Sequence, residues 1–287
     1  MIRPSFRFCG AMLAAIFLVT SVSAHSQTTA PATTEGDFVV HNVKFHSGES
    51  LPAVRLHYTT LGKPAHDARG RTTNAVLILH GTGGSGHQFL APYFAGELFD
   101  PGQPLDATRY FIVLPDGIGH GQSWKPSDGL HPHFPQFDYD DMVALHYKLL
   151  NDGLGVNHLR LIFGTPMGCM HSFVWGETYP DFMDALMPMA CLPVQIAGRN
   201  RVWRKIVIDG IRNDPQWKGG DYTTEPPQGL RTALDFLIIA ASAPLPMQKS
   251  MPTRDEADKY LDKYFSQPYR RARCQRFTLT GERIAEL

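Results

Sequence analysis

The stretch with the most chemical content runs from Leu159 to His171. An apolar run, Leu159 to Phe163, ends at Gly164-Thr165-Pro166-Met167-Gly168 and continues into Cys169-Met170-His171. A strand, a tight turn and a helix with two glycines four residues apart is the setting that holds a serine for attack on an acyl carbonyl, written G-x-S-x-G. Both glycines are in place, and the position of the serine is held by Pro166. Proline has no hydroxyl, so no acyl intermediate can form on it. Its ring holds φ near about −65° and drives Thr165 toward extended backbone. The expectation is a relaxed turn in which Pro166 opens the following helix, a position that suits proline. Backbone N–H groups stabilise the oxyanion in such sites. The candidates here are Met167, after the nucleophile position, and Thr82, in the loop after an earlier strand, with the relaxed turn expected to re-aim Met167.

Other groups compete for a role. Cys169 lies at a helix N-terminus, where a thiolate is favoured, and is a weak alternative nucleophile; packing as a small residue under the sheet is the plainer reading. His171 and Ser172 follow it closely. Ser85 and Ser123 lie in loops, where serine is common, and Asp116 and His120 form a pair by proximity alone. Gly81-Thr82-Gly83-Gly84-Ser85-Gly86 matches G-x-G-x-x-G between a strand and a helix, the context of a dinucleotide site. Two strands precede it, and His80 stands at its turn, so the dinucleotide reading ranks low and no cofactor is expected. No H-E-x-x-H or calcium loop occurs, so no metal is expected either. Cys169, Cys191 and Cys274 show no C-x-x-C spacing; nothing in the spacing demands a disulfide.

Elements must hold these groups in place. Phe38 to Phe45 and Ala53 to Thr60 alternate like a half-exposed antiparallel pair. Ala75–Leu79, Tyr110–Leu114, Leu159–Phe163 and Ala185–Ala190 are continuous apolar runs, as in strands covered on both faces. Helical patterns fall between them at 87–99, 139–150 and 170–177. The fold class is α/β: a doubly wound, mostly parallel sheet with an antiparallel edge.

Ahead of this core, Arg3 and Arg7, the apolar run Ala11 to Val19, and Val22-Ser23-Ala24 read as a signal peptide over 1–24, which places the protein in the periplasm or outside the cell. Residues 25–36 read as a disordered lead-in and 37–195 as the core. Residues 196–266, with helical stretches at 230–241 and 255–264, read as a helical cap, and 267–287 as a degenerate tail. Lys and Arg number 27 and so do Asp and Glu. Zero net charge gives no reason to expect nucleic acid or an anionic membrane as partner, and no membrane contact is expected once the signal is removed.

The turn resembles the homoserine O-acetyltransferase-like branch of the α/β-hydrolases, whose elbow commonly reads G-x-S-M-G-G-M. Met167, Gly168 and Met170 match it; Pro166 and Cys169 depart from it. His80-Gly81-Thr82-Gly83-Gly84, Pro115 to Gly121, Tyr179-Pro180 and Gly198-Arg199-Asn200-Arg201 are similar to the same branch. The likeness runs from about Phe38 to about Tyr264. It implies an α/β-hydrolase sheet under a cap, with the last strands missing, and acyl chemistry on a small acyl compound. Export favours hydrolysis over acetyl-CoA-dependent transfer. The acid and histidine of the family follow later strands, and no histidine follows His171. The resemblance therefore implies a catalytically impaired relative. The alternatives are an active ester hydrolase with an unorthodox nucleophile and a non-catalytic small-molecule binder. Missing strands also imply self-association through an exposed sheet edge.

Overall fold

The computed structural model of the chain describes residues 32–266; the expected signal peptide and tail lie outside the described residues. Six strands form one sheet: β1 (Thr33–Lys44), β2 (Ser50–Leu61), β3 (Ala75–Leu79), β4 (Phe111–Pro115), β5 (Leu161–Gly164) and β6 (Leu186–Pro188). Their order is β1-β2-β4-β3-β5-β6. The first two are antiparallel to each other, β2 is antiparallel to β4, and the remaining pairs are parallel. Every residue of β3 and β4 is buried, as unbroken apolar runs require in a sheet with helices on both sides.

β1 is longer than its alternation predicts. It opens at Thr33, opposite Leu61, so the last four residues of the expected lead-in are strand. Pairing with β2 satisfies their backbone groups, and polar side chains do not oppose a strand whose outer face is solvated.

The expected helix over 87–99 is two pieces: a 3₁₀ turn (Gly86–Leu90) and α1 (Pro92–Leu98). Pro92 holds Ala91 extended at ψ 138° and then serves as the first helical residue, which breaks the run as proline does. α2 (Tyr139–Lys148) begins in a reciprocal cap: Asp138 accepts from the Asp141 N–H and Asp141 accepts from the Asp138 N–H. α3 (Pro166–Thr178) follows β5 directly.

The cap holds four helices, α4 (Gly198–Arg212), α5 (Pro227–Ala241), α6 (Pro244–Ser250) and α7 (Arg254–Ser266); α4 and α6 were not expected. In α4, Val207, Ile208 and Ile211 are buried, at the i, i+1, i+4 spacing of one face. A glycine at 229 allows α5 to approach: a Cβ there would lie 2.6 Å from the Ile211 Cα. The Asp214 carboxylate accepts the Gln216, Gln228 and Gly229 N–H groups, tying the end of α4 to the start of α5. Among the described residues, no single helix is long and apolar enough to cross a membrane.

β6 departs from its sequence pattern. Read as a strand covered on both faces, it is exposed throughout. It pairs only with β5 among the described strands, so Leu186 and Met187 face solvent.

Candidate functional site

The site lies where the ends of β3 and β5 meet the start of the cap. Pro166 is the first residue of α3. Thr165 before it is extended, at φ −104° and ψ 159°, and Pro166 is not among the residues of positive φ. The sharp corner of a nucleophile turn is thus replaced by an ordinary helix start, as the fixed ring requires. The flanking glycines remain necessary for packing. A Cβ on Gly164 would lie 2.1 Å from the Gly168 carbonyl oxygen, and one on Gly168 would lie 2.3 Å from that of Leu79.

Pro166, Met167 and Thr82 border one cavity of about 590 Å³, whose far wall is formed by the segment after β6 and the start of α4. Among the described residues, the Thr82 and Met167 N–H groups have no acceptor. Both residues border the same space after relaxation of the turn. No serine, histidine or carboxylate lines the cavity among the described residues.

The imidazoles lie behind the loop. His80 accepts from the Gly117 N–H through Nε2 at 3.0 Å, so its proton is on Nδ1, which donates to the Gly81 carbonyl. The nitrogens of His120 face the Ile118 and Thr82 carbonyls at 3.1 and 3.0 Å. Burial lowers His80 to about 4 and His120 to about 3. These rings shape the loop that carries Thr82, and their nitrogens point at backbone.

The other candidates are structural. Asp116 and His120 share no hydrogen bond; the Asp116 carboxylate accepts the Gly86 and Gln122 N–H groups, both at 2.7 Å. Ser123 donates to the Asp116 carbonyl and accepts the His57 N–H. Ser172 donates back to the Gly168 carbonyl within α3, and His171 is buried against Tyr139. Ser85 precedes the 3₁₀ turn without capping it. The G-x-G-x-x-G loop is no phosphate cradle. The Gly86 N–H is taken by Asp116, the Gly84 N–H by the Gly81 carbonyl, and a five-residue 3₁₀ turn stands where a long helix would be needed.

Cys169 requires a correction. It is joined in a disulfide to Cys191, with Cα atoms 5.9 Å apart, so it has no free thiol to serve as nucleophile. Spacing gave no sign of this pair. It forms because β6 runs parallel to β5 and returns residue 191 over the start of α3. The bond fastens the wall of the cavity to the helix that borders its floor. Closing a loop of 22 residues is worth about 3 kcal/mol. Cys191→Ser is expected to lower unfolding stability by about that amount in urea titration without reductant. An unchanged midpoint would show that the bond does not form.

Sequence reading also missed four polar side chains lining the cavity, Tyr139, Gln195, Asn200 and Arg204. They come from α2, the segment before α4, and α4, and the amphipathic face of α4 could have pointed only to the last two. Elsewhere, His46, Asp138 and Asp140 bring potential ligand atoms within 4.8 Å of one another. That group is solvent-facing, and Asp138 already binds His46 and caps α2.

The α/β hydrolase fold family profile matches residues 74–281. The homoserine O-acetyltransferase of Thermobifida fusca is 31% identical over 203 residues, covering 66% of this chain and 52% of that protein. The chain thus spans about half the length of the curated relatives it matches. Among solved structures, homoserine O-acetyltransferase from Bacillus anthracis superposes with a TM-score of 0.70 at 20% identity, over 88% of this chain and 75% of that one. An acetylester hydrolase from Corynebacterium glutamicum does so with 0.68 at 20% identity, over 86% and 72%. At these identities the superpositions establish the fold.

Proposed function

This chain belongs to the α/β-hydrolase fold family, and we propose that it is an exported member that holds a small acyl compound in its pocket without covalent turnover. The observation that carries this reading is Pro166 at the nucleophile position, opening α3 beside two N–H groups that have no acceptor among the described residues. Acyl transfer in this fold needs an attacking oxygen, a base and oxyanion donors. Here the residues of both candidate donors border the cavity, the residue at the nucleophile position has no hydroxyl, and no imidazole borders the cavity among the described residues.

Two observations support export: the charged, apolar and small-residue order of the first 24 residues, and a disulfide that would not persist in a reducing compartment. An acyl compound fits the kinship to acyltransferases and esterases and the shape of the cavity, which is concave and largely apolar with a few convergent polar groups.

Purified protein with an intact thermal transition is expected to release p-nitrophenol from p-nitrophenyl acetate no faster than buffer does. The same is expected after reduction of the disulfide, and for Pro166→Ser. Turnover by the unmodified protein would remove the reading; turnover appearing only on reduction would restore Cys169 as a nucleophile.

A further inference from the structure

The far wall of the cavity is joined to the rest of the fold by one cross-link among the described residues. All of residues 190–197 except Pro193 line the cavity, and none of them is in a helix or strand. On one side of this segment the Met189 N–H donates to the Gly164 carbonyl at 2.8 Å, and on the other the Ala197 carbonyl accepts from Arg201 at 3.4 Å. Between these points, residues 190–196 make no backbone hydrogen bond among the described residues. Burial adds little hold, since Leu192 and Val194 are 69% and 61% exposed. Left-handed backbone bounds the segment, at Ala190 with φ 65° and at Gly198 with φ 56°. Glycine takes that conformation freely. Alanine does not, and it persists there only where the surroundings impose it. The covalent link at the next residue, from Cys191 to Cys169, supplies that constraint.

We propose that this disulfide is a redox latch on the cavity: reduction frees residues 190–197 to swing between hinges at Ala190 and Gly198, and the pocket opens. The proposal rests on the reading of the pocket as a binding site and supplies its regulation. The two sulfurs differ in access, because Cys169 is buried and Cys191 is partly exposed. The co-reactant is a dithiol. One of its thiolates attacks the Cys191 Sγ, and a mixed disulfide forms as the Cys169 Sγ leaves with the electron pair of the old bond and takes up a proton. A sulfur near the start of α3 is favoured as a thiolate, which makes it the better leaving group. The second thiolate of the dithiol then attacks the dithiol's own sulfur in the mixed disulfide. The Cys191 thiolate departs and takes up a proton, and the dithiol leaves as a cyclic disulfide. Two electrons and two protons pass to the protein. The oxidised form keeps its pocket walled, and the reduced form gives up its ligand.

Three preparations of the full chain test this: oxidised, reduced with dithiothreitol, and Cys191→Ser without reductant. Elastase, which cuts after small aliphatic residues, is expected to nick the chain after Ala190 or Val194 at least tenfold faster in the second and third than in the first. Dithiothreitol is expected to leave the nicking of Cys191→Ser unchanged. In isothermal titration, hexyl acetate should bind at least tenfold more weakly to the two unlatched forms than to the oxidised one. Thermal transitions verify folding, and if Cys191→Ser does not fold, the reduced protein carries the comparison. Equal nicking of folded oxidised and reduced protein, or equal and measurable affinity of the two for hexyl acetate, would overturn the latch. Faster nicking on reduction, with no binding of hexyl acetate by the oxidised protein, would support the latch and overturn the acyl-compound reading, which keeps the two failures distinct.

Discussion

Acidification from pH 7 to pH 5 is expected to destabilise this protein severely, through four histidines buried in the neutral form. His80, His120, His146 and His171 are each almost wholly excluded from solvent. Burial is the largest cause lowering each, to about 4 for His80, about 3 for His120 and His146, and well below the ordinary 6.5 for His171. Their mutual proximity adds to this: the His80 and His120 rings are 5.0 Å apart and those of His146 and His171 are 6.4 Å apart. In the unfolded chain these rings titrate near 6.5 and bind protons that the folded chain refuses. Stability therefore rises with pH between the folded and unfolded values. The stability present above 6.5 is lost as pH falls from there toward about 3 to 4. At pH 5 each ring kept neutral costs about 2 kcal/mol relative to pH 7, and four together are comparable to the whole stability of a typical domain.

The melting temperature, followed by circular dichroism, should fall steeply below pH 6.5. A flat profile from 7 to 5 would show that the rings are not held neutral. His146→Leu isolates one contribution. Neither ring nitrogen of His146 has a partner at full hydrogen-bond geometry among the described residues, and a weak approach of the Asp116 backbone offsets the effect of burial only in part. Removing an unsatisfied buried polar group in favour of an apolar one costs little or stabilises. The variant should be no less stable than the parent at pH 7 and should shed about 1.4 kcal/mol per pH unit of the acid slope.

Gly168→Ala is expected to destabilise by about 3 kcal/mol or to prevent folding, a large effect for one methyl group. The added Cβ would meet the Leu79 carbonyl oxygen at 2.3 Å and the Leu79 Cβ at 2.4 Å. Those atoms belong to β3, which is paired on both sides, so the neighbour cannot move away cheaply. Gly164→Ala meets the backbone of Gly168 and Cys169 at 2.1 to 2.5 Å and should behave alike. Gly96→Ala serves as the control. Its Cβ would have only the Asp100 carboxylate at 3.7 Å nearby, and within α1 alanine is favoured over glycine by about 0.5–1 kcal/mol. Chemical denaturation should separate the three variants. If Gly168→Ala matched Gly96→Ala, close packing of α3 on β3 would not be the reason for that glycine.

These glycines explain how much of the site was legible. The G-x-x-x-G spacing announced a strand-turn-helix because close packing demands both glycines whether or not the residue between them reacts. The parallel run of strands was legible for a similar reason, since a strand buried on both faces must be apolar along its whole length. The split of the 87–99 helix was written in Pro92 and was overlooked. The edge strand β6 misled, because its apolar residues match a covered strand, whereas among the described strands it pairs only with β5.

The sequence by itself therefore determined the fold class, the absence of a hydroxyl at position 166 and the relaxed backbone around it, because those depend on local periodicity and on the chemistry of one residue. Only the tertiary structure decided that Cys169 is tied to Cys191, that the histidines are buried, and that Arg204 lines the same cavity as Thr82 and Met167. Each of these joins residues from different elements. Their meeting depends on strand order and on how the cap settles, which no spacing along the chain encodes.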